Sequence, residues 1–151
     1  MVLPIIRVQA EPFDINAEVA RISHGRVDIG AVVTFTGLCR SEGGALAALE
    51  LEHYPGMAEE ELGRVATEAL VRWPLDGATI VHRYGKLAPG EPIVLVVAAS
   101  AHRQAAFDAA NFLMDFLKTR APFWKKEHPA NGTKGDWVEA KQTDDHAASR
   151  W

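Results

Sequence analysis

Four cationic side chains and no acidic one lie within nine consecutive residues of an otherwise acidic chain. They belong to the run LKTRAPFWKKE, residues 117–127, and are Lys118, Arg120, Lys125 and Lys126. Their summed charge is +4, whereas the formal net charge of all 151 residues is −4. Pro122, in the middle of the run, should end a helix and turn the chain. We expect this corner to bring charges from two elements towards one point and to form an anion site.

Lys118 and Lys125 are the candidates for catalysis because they stand on opposite sides of the proline corner, with Phe123 and Trp124 between them. An amine that is held near other cations and partly removed from water loses its proton more easily, and a neutral amine can act as a nucleophile or a base. The structural alternative is that Lys118 only stabilises the end of a helix, where a cation gains a few tenths to about 1 kcal/mol from the helix dipole. The residues alone leave both interpretations open.

His102 and Arg103 lie at the opposite end of the same predicted helix, in its first turn. Free backbone N–H groups and the positive end of the helix dipole attract phosphate or carboxylate there, although a plain surface pair is an equally good interpretation. Arg103 and Lys118 are 15 residues apart, which is about 22 Å along a helix axis. One copy of the helix cannot bring both side chains to one small ligand. If both serve one site, two chains must build it, which predicts a homodimer with shared pockets.

Arg40 and Cys39 end a predicted strand that runs from Gly30 to Arg40. Alternation along a strand puts their side chains on opposite faces. Arg40 precedes the flexible turn 41–44 and is free to bind an anion through its planar guanidinium, or it is a plain surface residue. Cys39 is expected to be a buried thiol rather than a persulfide carrier, because burial among apolar groups suppresses the thiolate.

The rest of the composition excludes several classes of function. The six histidines show no metal-ligand spacing and Cys39 is the only cysteine, so we expect no metal site. Neither a phosphate-binding nor a dinucleotide-binding glycine motif is present, and we expect no cofactor. The sequence pI of about 5.8 argues against nucleic acid and membrane as partners. The single cysteine and the lack of a long apolar run predict a cytoplasmic protein.

Hydrophobic periodicity and turn residues predict one domain over residues 1–151, with the element order βαββαββα, a hairpin at 123–141 and a polar tail at 141–151. The predicted strands cover 5–8, 30–40, 46–54, 78–84 and 92–99. The helices run from Asp14 to Gly25, over 57–73, and over 101–120 with Ser100 as the N-cap. We expect strands 30–40 and 46–54 to pair antiparallel. Strands that arrive in adjacent pairs favour an α+β fold with a mostly antiparallel sheet.

Seven segments between residues 29 and 141 together resemble the large, catalytic subunit of molybdopterin synthase. They are VTFTGLCR, LEHYPGM, RWPL, VHRYGKLAPGE, SAHRQAAFDA, LKTRAPFWKKE and DWVEAK. The resemblance implies an α/β-hammerhead domain with three main helices, a mostly antiparallel sheet and an additional small antiparallel sheet. It also implies a homodimer within a heterotetramer, in which each end carries a small ubiquitin-like subunit.

The resemblance implies a reaction as well. Sulfur from the C-terminal Gly-Gly thiocarboxylate of the small sulfur-carrier subunit enters cyclic pyranopterin monophosphate and forms the dithiolene of molybdopterin. By position, Lys118 and Lys125 match the essential lysines of the family. The other matches are to substrate-binding residues: Arg40, His102 and Arg103 as cations, Lys126 and Glu127 as flanking contacts. One departure from the family pattern is the short loop 41–45.

Two other classes of function stay open at this point. A non-catalytic adaptor would hold the tail of a ubiquitin-like protein in the same basic groove without reacting with it. A phosphate-ester binding module would need only Arg40, His102 and Arg103. The two lysines separate these alternatives from the enzyme, because only the enzyme requires them for chemistry.

Overall fold

Eight strands and three long helices follow one another in the part of the chain that the computed structural model describes, which is residues 2–132, 135, 137–138 and 146–151. The helices are α1 (Ile15–Ser23), α2 (Met57–Arg72) and α3 (Arg103–Thr119). The strands are β1 (Ile5–Gln9), β2 (Ala31–Leu38), β3 (Leu46–His53), β4 (Leu75–Arg83), β5 (Gly85–Leu87), β6 (Pro92–Ser100), β7 (Phe123–Pro129) and β8 (Trp137–Val138).

The first sheet has the strand order β1-β4-β6-β2, with β1 parallel to β4 and the other pairs antiparallel. Its central strands β4 and β6 are almost entirely buried. Helices α2 and α3 pack on one face and α1 packs on the other. Strands that are covered on both faces need apolar residues at successive positions, which explains the continuous apolar run in β6.

The second sheet is smaller and has the order β5-β3-β7-β8, with all pairs antiparallel. In β3, Leu51 is buried, whereas its neighbours Glu50 and Glu52 are not, so among the described residues one face of this sheet is better covered than the other. Three residues separate the end of α3 from the start of β7. The predicted α+β class, with a mostly antiparallel sheet, a second small antiparallel sheet and three main helices, is confirmed.

The predicted pairing of strands 30–40 and 46–54 is wrong. Strand β2 pairs with β6, whereas β3 pairs with β5 and β7 in the other sheet. The loop between them contains a short 3₁₀ turn in which Gly43 and Gly44 both have positive φ, a conformation that glycine adopts without steric cost. This loop therefore carries the chain from one sheet to the other instead of closing a hairpin. The short β5 was not predicted.

Strand β2 also ends two residues earlier than predicted. The ladder with β6 shifts register at Gly37 and Leu38, and a Cβ on Gly37 would lie 2.8 Å from a methyl carbon of Val94. Beyond this bulge the backbone of Cys39 binds a different segment: its N–H donates to Glu91 and its carbonyl accepts from Gly90. Arg40 therefore lies in a loop, and strict alternation does not fix its direction.

The start of α3 is built differently from the prediction. Ser100 is the last residue of β6, and its hydroxyl donates to the Pro74 carbonyl at 2.8 Å and accepts from the His102 N–H at 3.3 Å. The N-cap position belongs to His102, which makes no side-chain capping bond. Gly30 packs against this junction, because its N–H donates to the Ser100 carbonyl and a Cβ there would lie 2.2 Å from the Ala101 carbonyl oxygen.

Part of the predicted hairpin and tail can be followed. Strands β7 and β8 pair antiparallel, with Lys126 opposite Trp137, while residues 133–134, 136 and 139–145 lie outside the described residues. Near the end of the chain, the indole of Trp151 packs edge-on against Trp73 and Phe112. Of the helices that the structure describes, none is both long and apolar enough to span a membrane.

Candidate active site

A cleft of about 750 Å³ opens between the two sheets, and both candidate lysines line it. Lys118 reaches the cleft from the last turn of α3, and Lys125 reaches it from β7. Apolar side chains from both sheets form much of its wall; they are Phe35, Leu38, Leu46, Leu49, Ile93 and Val138. The predicted convergence of the two lysines is therefore present within a single chain.

The corner between the lysines is fixed by backbone hydrogen bonds. The N–H groups of Arg120 and Ala121 both donate to the Phe116 carbonyl, at 2.8 and 3.2 Å, which closes the end of α3. The Phe123 N–H then donates to the Ala121 carbonyl at 2.8 Å, across Pro122. Because proline supplies no N–H of its own, the helix cannot continue through this point. The chain turns here and enters β7 immediately.

Alternation along β7 separates the remaining charged residues of the run. Lys125 and Glu127 both line the cleft. Lys126 belongs to the opposite face of the strand, where its ammonium lies 5.9 Å from the centre of the Trp137 ring. The structure thus brings Glu127 together with the two lysines and places Lys126 on the other side of the sheet.

Arg40 lines the same cleft from the loop that follows β2. Its guanidinium is exposed and binds the carboxylate of Glu42, which also lines the cleft, at 2.5 Å. An ion pair between two exposed groups of this kind is worth about 0–1 kcal/mol. An incoming anion can therefore compete with Glu42 for Arg40 at small cost.

Cys39 also contributes to the wall of the cleft, and it is buried. Its Sγ lies 3.9 Å from the Leu87 carbonyl oxygen. Burial raises the pKa of the thiol, and the negative charge of Glu91 acts in the same direction. The prediction of a buried thiol is confirmed, and its raised pKa disfavours the reactive thiolate at neutral pH.

His102 and Arg103 lie at the start of α3 and are exposed. The helix between Arg103 and Lys118 is uninterrupted, so the axial separation of about 22 Å that the sequence predicts applies. Neither residue lines the cleft that contains Lys118. Within one chain, the structure does not bring these two cations to the lysines.

Sequence reasoning missed a ring contact beside the corner that separates the lysines. His82 in β4 is buried, and its ring stacks on the ring of Phe123 at a centroid distance of 3.8 Å and an interplanar angle of 14°. The available signal was that His82 directly follows the apolar pair Ile80 and Val81 within the predicted strand 78–84. In the described parts of the chain, no group of three or more His, Cys, Asp or Glu side chains could hold a metal ion.

Comparison with known proteins identifies the family. The model of the MoaE protein family matches residues 8–120. The molybdopterin synthase catalytic subunit of Mesorhizobium japonicum is 68% identical over 148 residues, which are 98% of this chain and 93% of that protein. The solved structure of molybdopterin cofactor biosynthesis protein E from Burkholderia multivorans is 49% identical with a TM-score of 0.83, and the match covers 99% of this chain and 97% of the other.

A more distant solved structure is the complex of subunits 1 and 2 of molybdopterin-converting factor from Helicobacter pylori. The matched chain is 18% identical with a TM-score of 0.71 and covers 91% of this chain and 90% of its own length, a likeness that shows the fold alone. Taken together, the fold and the close relatives define a transferase of molybdenum cofactor biosynthesis. The chain belongs to the MoaE family of molybdopterin synthase catalytic subunits, as the sequence segments implied.

Proposed function

We propose that this chain transfers sulfur from the C-terminal thiocarboxylate of a small ubiquitin-like carrier to cyclic pyranopterin monophosphate, forming the dithiolene of molybdopterin. The observation that carries the proposal is that Lys118 and Lys125 line one cleft in a member of the MoaE family. The volume of about 750 Å³ lies within the usual range for sites that bind small molecules.

The residues of the cleft suit each requirement of the reaction. Both the cyclic phosphate and the thiocarboxylate are anions, and the ammonium and guanidinium groups of Lys118, Lys125 and Arg40 offer charge-assisted hydrogen bonds to them. Opening the cyclic phosphate requires a proton for the leaving oxygen, and a lysine ammonium can donate it. We assign Lys118 as the central acid, base or transient nucleophile and Lys125 as the group that supports charge.

The apolar wall gives the carrier tail a path to these groups. Phe35, Leu38 and Val138 line the same cleft as the lysines. A Gly-Gly tail has no side chains, so it can pass between such walls while its terminal thiocarboxylate reaches the cations. The carrier and the substrate would then share one cleft, with the sulfur close to the pterin.

We further propose that a homodimer within a heterotetramer completes each site. His102 and Arg103 are too far along α3 to reach their own cleft, so a second copy must supply them if they bind the substrate. Phe35 on the edge strand β2 and Phe107 on α3 are both exposed, and they offer apolar surface for such a contact. The single cysteine is free, which suits our expectation that the enzyme acts in the cytoplasm.

The direct test is reconstitution with a thiocarboxylated carrier and cyclic pyranopterin monophosphate. We expect the wild-type chain to bind the carrier and to convert the substrate, and Lys118→Ala to fold but lose at least about 100-fold in kcat. The matched control is Lys86→Ala, which removes an exposed lysine from β5 outside the cleft. Unchanged conversion by folded Lys118→Ala would refute the catalytic assignment.

The same experiment distinguishes the adaptor. If Lys118→Ala weakens carrier binding but leaves the rate of each bound complex unchanged, the chain holds the tail and the chemistry lies elsewhere. A phosphate-ester module that uses only Arg40, His102 and Arg103 would keep its affinity for the phosphate in the Lys118→Ala, Lys125→Ala double variant. Calorimetry with the cyclic phosphate measures that affinity.

A further inference from the structure

A stack of rings lies under the corner that carries the lysines and joins the two sheets. The ring of Phe123, the first residue of β7, stacks on His82 from β4 at 3.8 Å. On β3, His53 lies 5.8 Å from Phe123 and 4.5 Å from Tyr84. Since β4 belongs to the first sheet and β3 and β7 to the second, the contact between His82 and Phe123 couples the sheets beside the cleft.

The imidazole of His82 is held in one orientation. Its Nδ1 lies 2.8 Å from the Arg83 carbonyl oxygen, and because a carbonyl can only accept, Nδ1 carries the proton. The Arg83 side chain is itself fixed by hydrogen bonds to two backbone carbonyls, those of Ala10 and Pro92, at 2.9–3.0 Å. Arg83 therefore ties the end of β4 to the segment after β1 and to the start of β6. The backbone that carries the ring of His82 is held in place by these bonds.

Phe123 connects the fixed ring of His82 to the two lysines. Residues two apart on a strand share a face, so Phe123 and Lys125 project from the same side of β7. On the other side of the corner, Lys118 lies five residues before Phe123, and the turn between them is closed by backbone hydrogen bonds. A displacement of the Phe123 ring would change the placement of Lys125 relative to Lys118.

The charge of the His82 ring also matters, because Lys118 and Lys125 are nearby. Burial lowers the pKa of His82 to about 4, and the nearby ammonium groups of Lys125 and Lys118 act in the same direction. At neutral pH the ring is uncharged, so it supports the lysines without adding a third positive charge next to them.

We propose that His82 is a positioning residue for sulfur transfer: its stack on Phe123 sets the spacing of Lys118 and Lys125 in the cleft. This inference rests on the proposed function. It predicts that loss of the ring lowers kcat much more than it changes KM, because the cations remain present but are no longer placed for the transition state. Misplacement of reacting groups by about 1 Å can cost about 10²-fold in rate.

The experiment compares three substitutions at one position with a matched control. His82→Ala removes the ring, His82→Leu fills the space without a ring, and His82→Phe supplies a different ring that can stack on Phe123. The control, Val81→Ala, creates a cavity on the same strand but on the opposite face, where Val81 packs in the other core. Thermal unfolding of each variant establishes how much of any change follows from stability alone.

Two measurements are made on each variant. The first is kcat and KM for the cyclic phosphate with saturating thiocarboxylated carrier. The second does not depend on the reaction: an amine-reactive reagent labels the protein briefly, and mass spectrometry gives the labelling ratio of Lys118 to Lys125, with the exposed Lys86 as the internal reference. A purely structural role of His82 would change the unfolding temperature but not this ratio in the folded protein.

We expect His82→Leu to lower kcat by about 10- to 100-fold with KM changed by less than about twofold, to alter the labelling ratio, and His82→Phe to recover most of the kcat. If His82→Ala does not fold, the Leu and Phe variants carry the comparison. Wild-type kcat and labelling in His82→Leu, or equal loss in His82→Leu and His82→Phe, overturns the proposal. If the wild type itself fails to convert the substrate, the proposed function fails, and the labelling ratio still decides whether His82 positions the lysines.

Discussion

The two ends of α3 differ in how the protein supports them. At the C-terminal end, Lys118 enters a cleft that is walled by two sheets, and Phe123 beyond the corner stacks on the buried ring of His82. At the N-terminal end, His102 and Arg103 are exposed and lie outside that cleft. One end has a pocket within its own chain, and the other presents cations to the outside. In the proposed homodimer, one helix would therefore serve two sites, its own and that of a second copy.

The packing of α3 fixes the distance between its two ends. The helix is uninterrupted over 17 residues, and its inward face is fully packed in the main core. The buried residues of that face are Ala105, Ala106, Ala109, Ala110, Phe112, Leu113, Met114 and Phe116. Interiors are packed as densely as organic crystals, so the helix cannot bend to shorten the distance between its ends.

The largest effect is expected from Lys118→Arg. Arginine keeps the positive charge but stays protonated at any accessible pH, so it cannot exchange a proton or form a covalent intermediate as an amine can. We expect kcat to fall by about 10²–10⁴-fold, or roughly 3–5 kcal/mol in activation free energy, with carrier binding retained. Reconstituted turnover measures it. Substantial activity in the arginine variant would mean that the C-terminal end supplies charge only.

The buried support at this end should also make stability depend on pH. The pKa of His82 is about 4 in the folded chain and about 6.5 when unfolded, so below pH 6.5 the unfolded state binds more protons than the folded state. The contribution of neutral His82 to the free energy of unfolding is therefore fully present above pH 6.5. It is lost as the pH falls towards 4, by an amount on the order of 3 kcal/mol. Urea unfolding at pH 7 and pH 4.5 tests this. In His82→Phe, the difference in unfolding free energy between the two pH values should be much smaller. If it stays as large as in the wild type, His82 is not the source of the pH dependence.

Complementation tests whether the N-terminal end serves another chain. Arg103→Ala alone should lower activity by roughly 10- to 100-fold, because a charge-assisted hydrogen bond contributes about 1.5–3 kcal/mol. In an equal mixture with Lys118→Ala after subunit exchange, half of the dimers are mixed, and each contains one intact site. We expect recovery to about one quarter of wild-type activity.

The alternative geometry gives the opposite result. If Arg103 and Lys118 had to come from one chain, every site in the mixed dimer would lack one of them, and activity would not recover. Mass spectrometry of the exchanged dimers provides the control, since it establishes that mixed species are present. No recovery despite exchange would mean that the two ends of α3 do not cooperate across chains.

The smallest effect is expected from Lys126→Ala. The resemblance predicts a substrate contact for Lys126, but its ammonium lies beside Trp137 on the face of β7 away from the cleft. A half-exposed lysine of this kind contributes little, so we expect kcat/KM to change by less than about twofold, or roughly 0.5 kcal/mol. The neighbouring Lys125→Ala is the comparison. A large loss in Lys126→Ala would show that substrate or carrier also contacts the outer face of the second sheet.

Local signals account for what the sequence predicted well. Hydrophobic period and a following proline placed α2 and the end of α3 within one residue of the structure. The proline corner and the alternation of β7 are local as well, so the meeting of Lys118 and Lys125 could be expected. Burial of Cys39 followed from its apolar surroundings. Each of these depends on residues that are close in the chain.

The errors concern contacts between distant parts of the chain. Nothing in the segments themselves indicates that β2 pairs with β6 rather than with β3, because the choice depends on which sheet buries its apolar residues. Ser100 looked like a helix cap, but its hydroxyl bonds to Pro74, 26 residues away. The stack of His82 on Phe123 joins residues of two sheets. Such pairings are set by the whole core and not by any single pattern.

The tight packing of Gly30 at the start of α3 has a consequence for genetics. Any larger residue there would collide with the Ala101 carbonyl and push aside the turn that presents Arg103. A selection for inactive alleles should therefore recover substitutions of Gly30 as well as substitutions of Lys118 and Arg103, although Gly30 has no functional group of its own. In a mixed population such alleles would be rescued by a Lys118 mutant and not by an Arg103 mutant, which would reveal which end of the helix they damage.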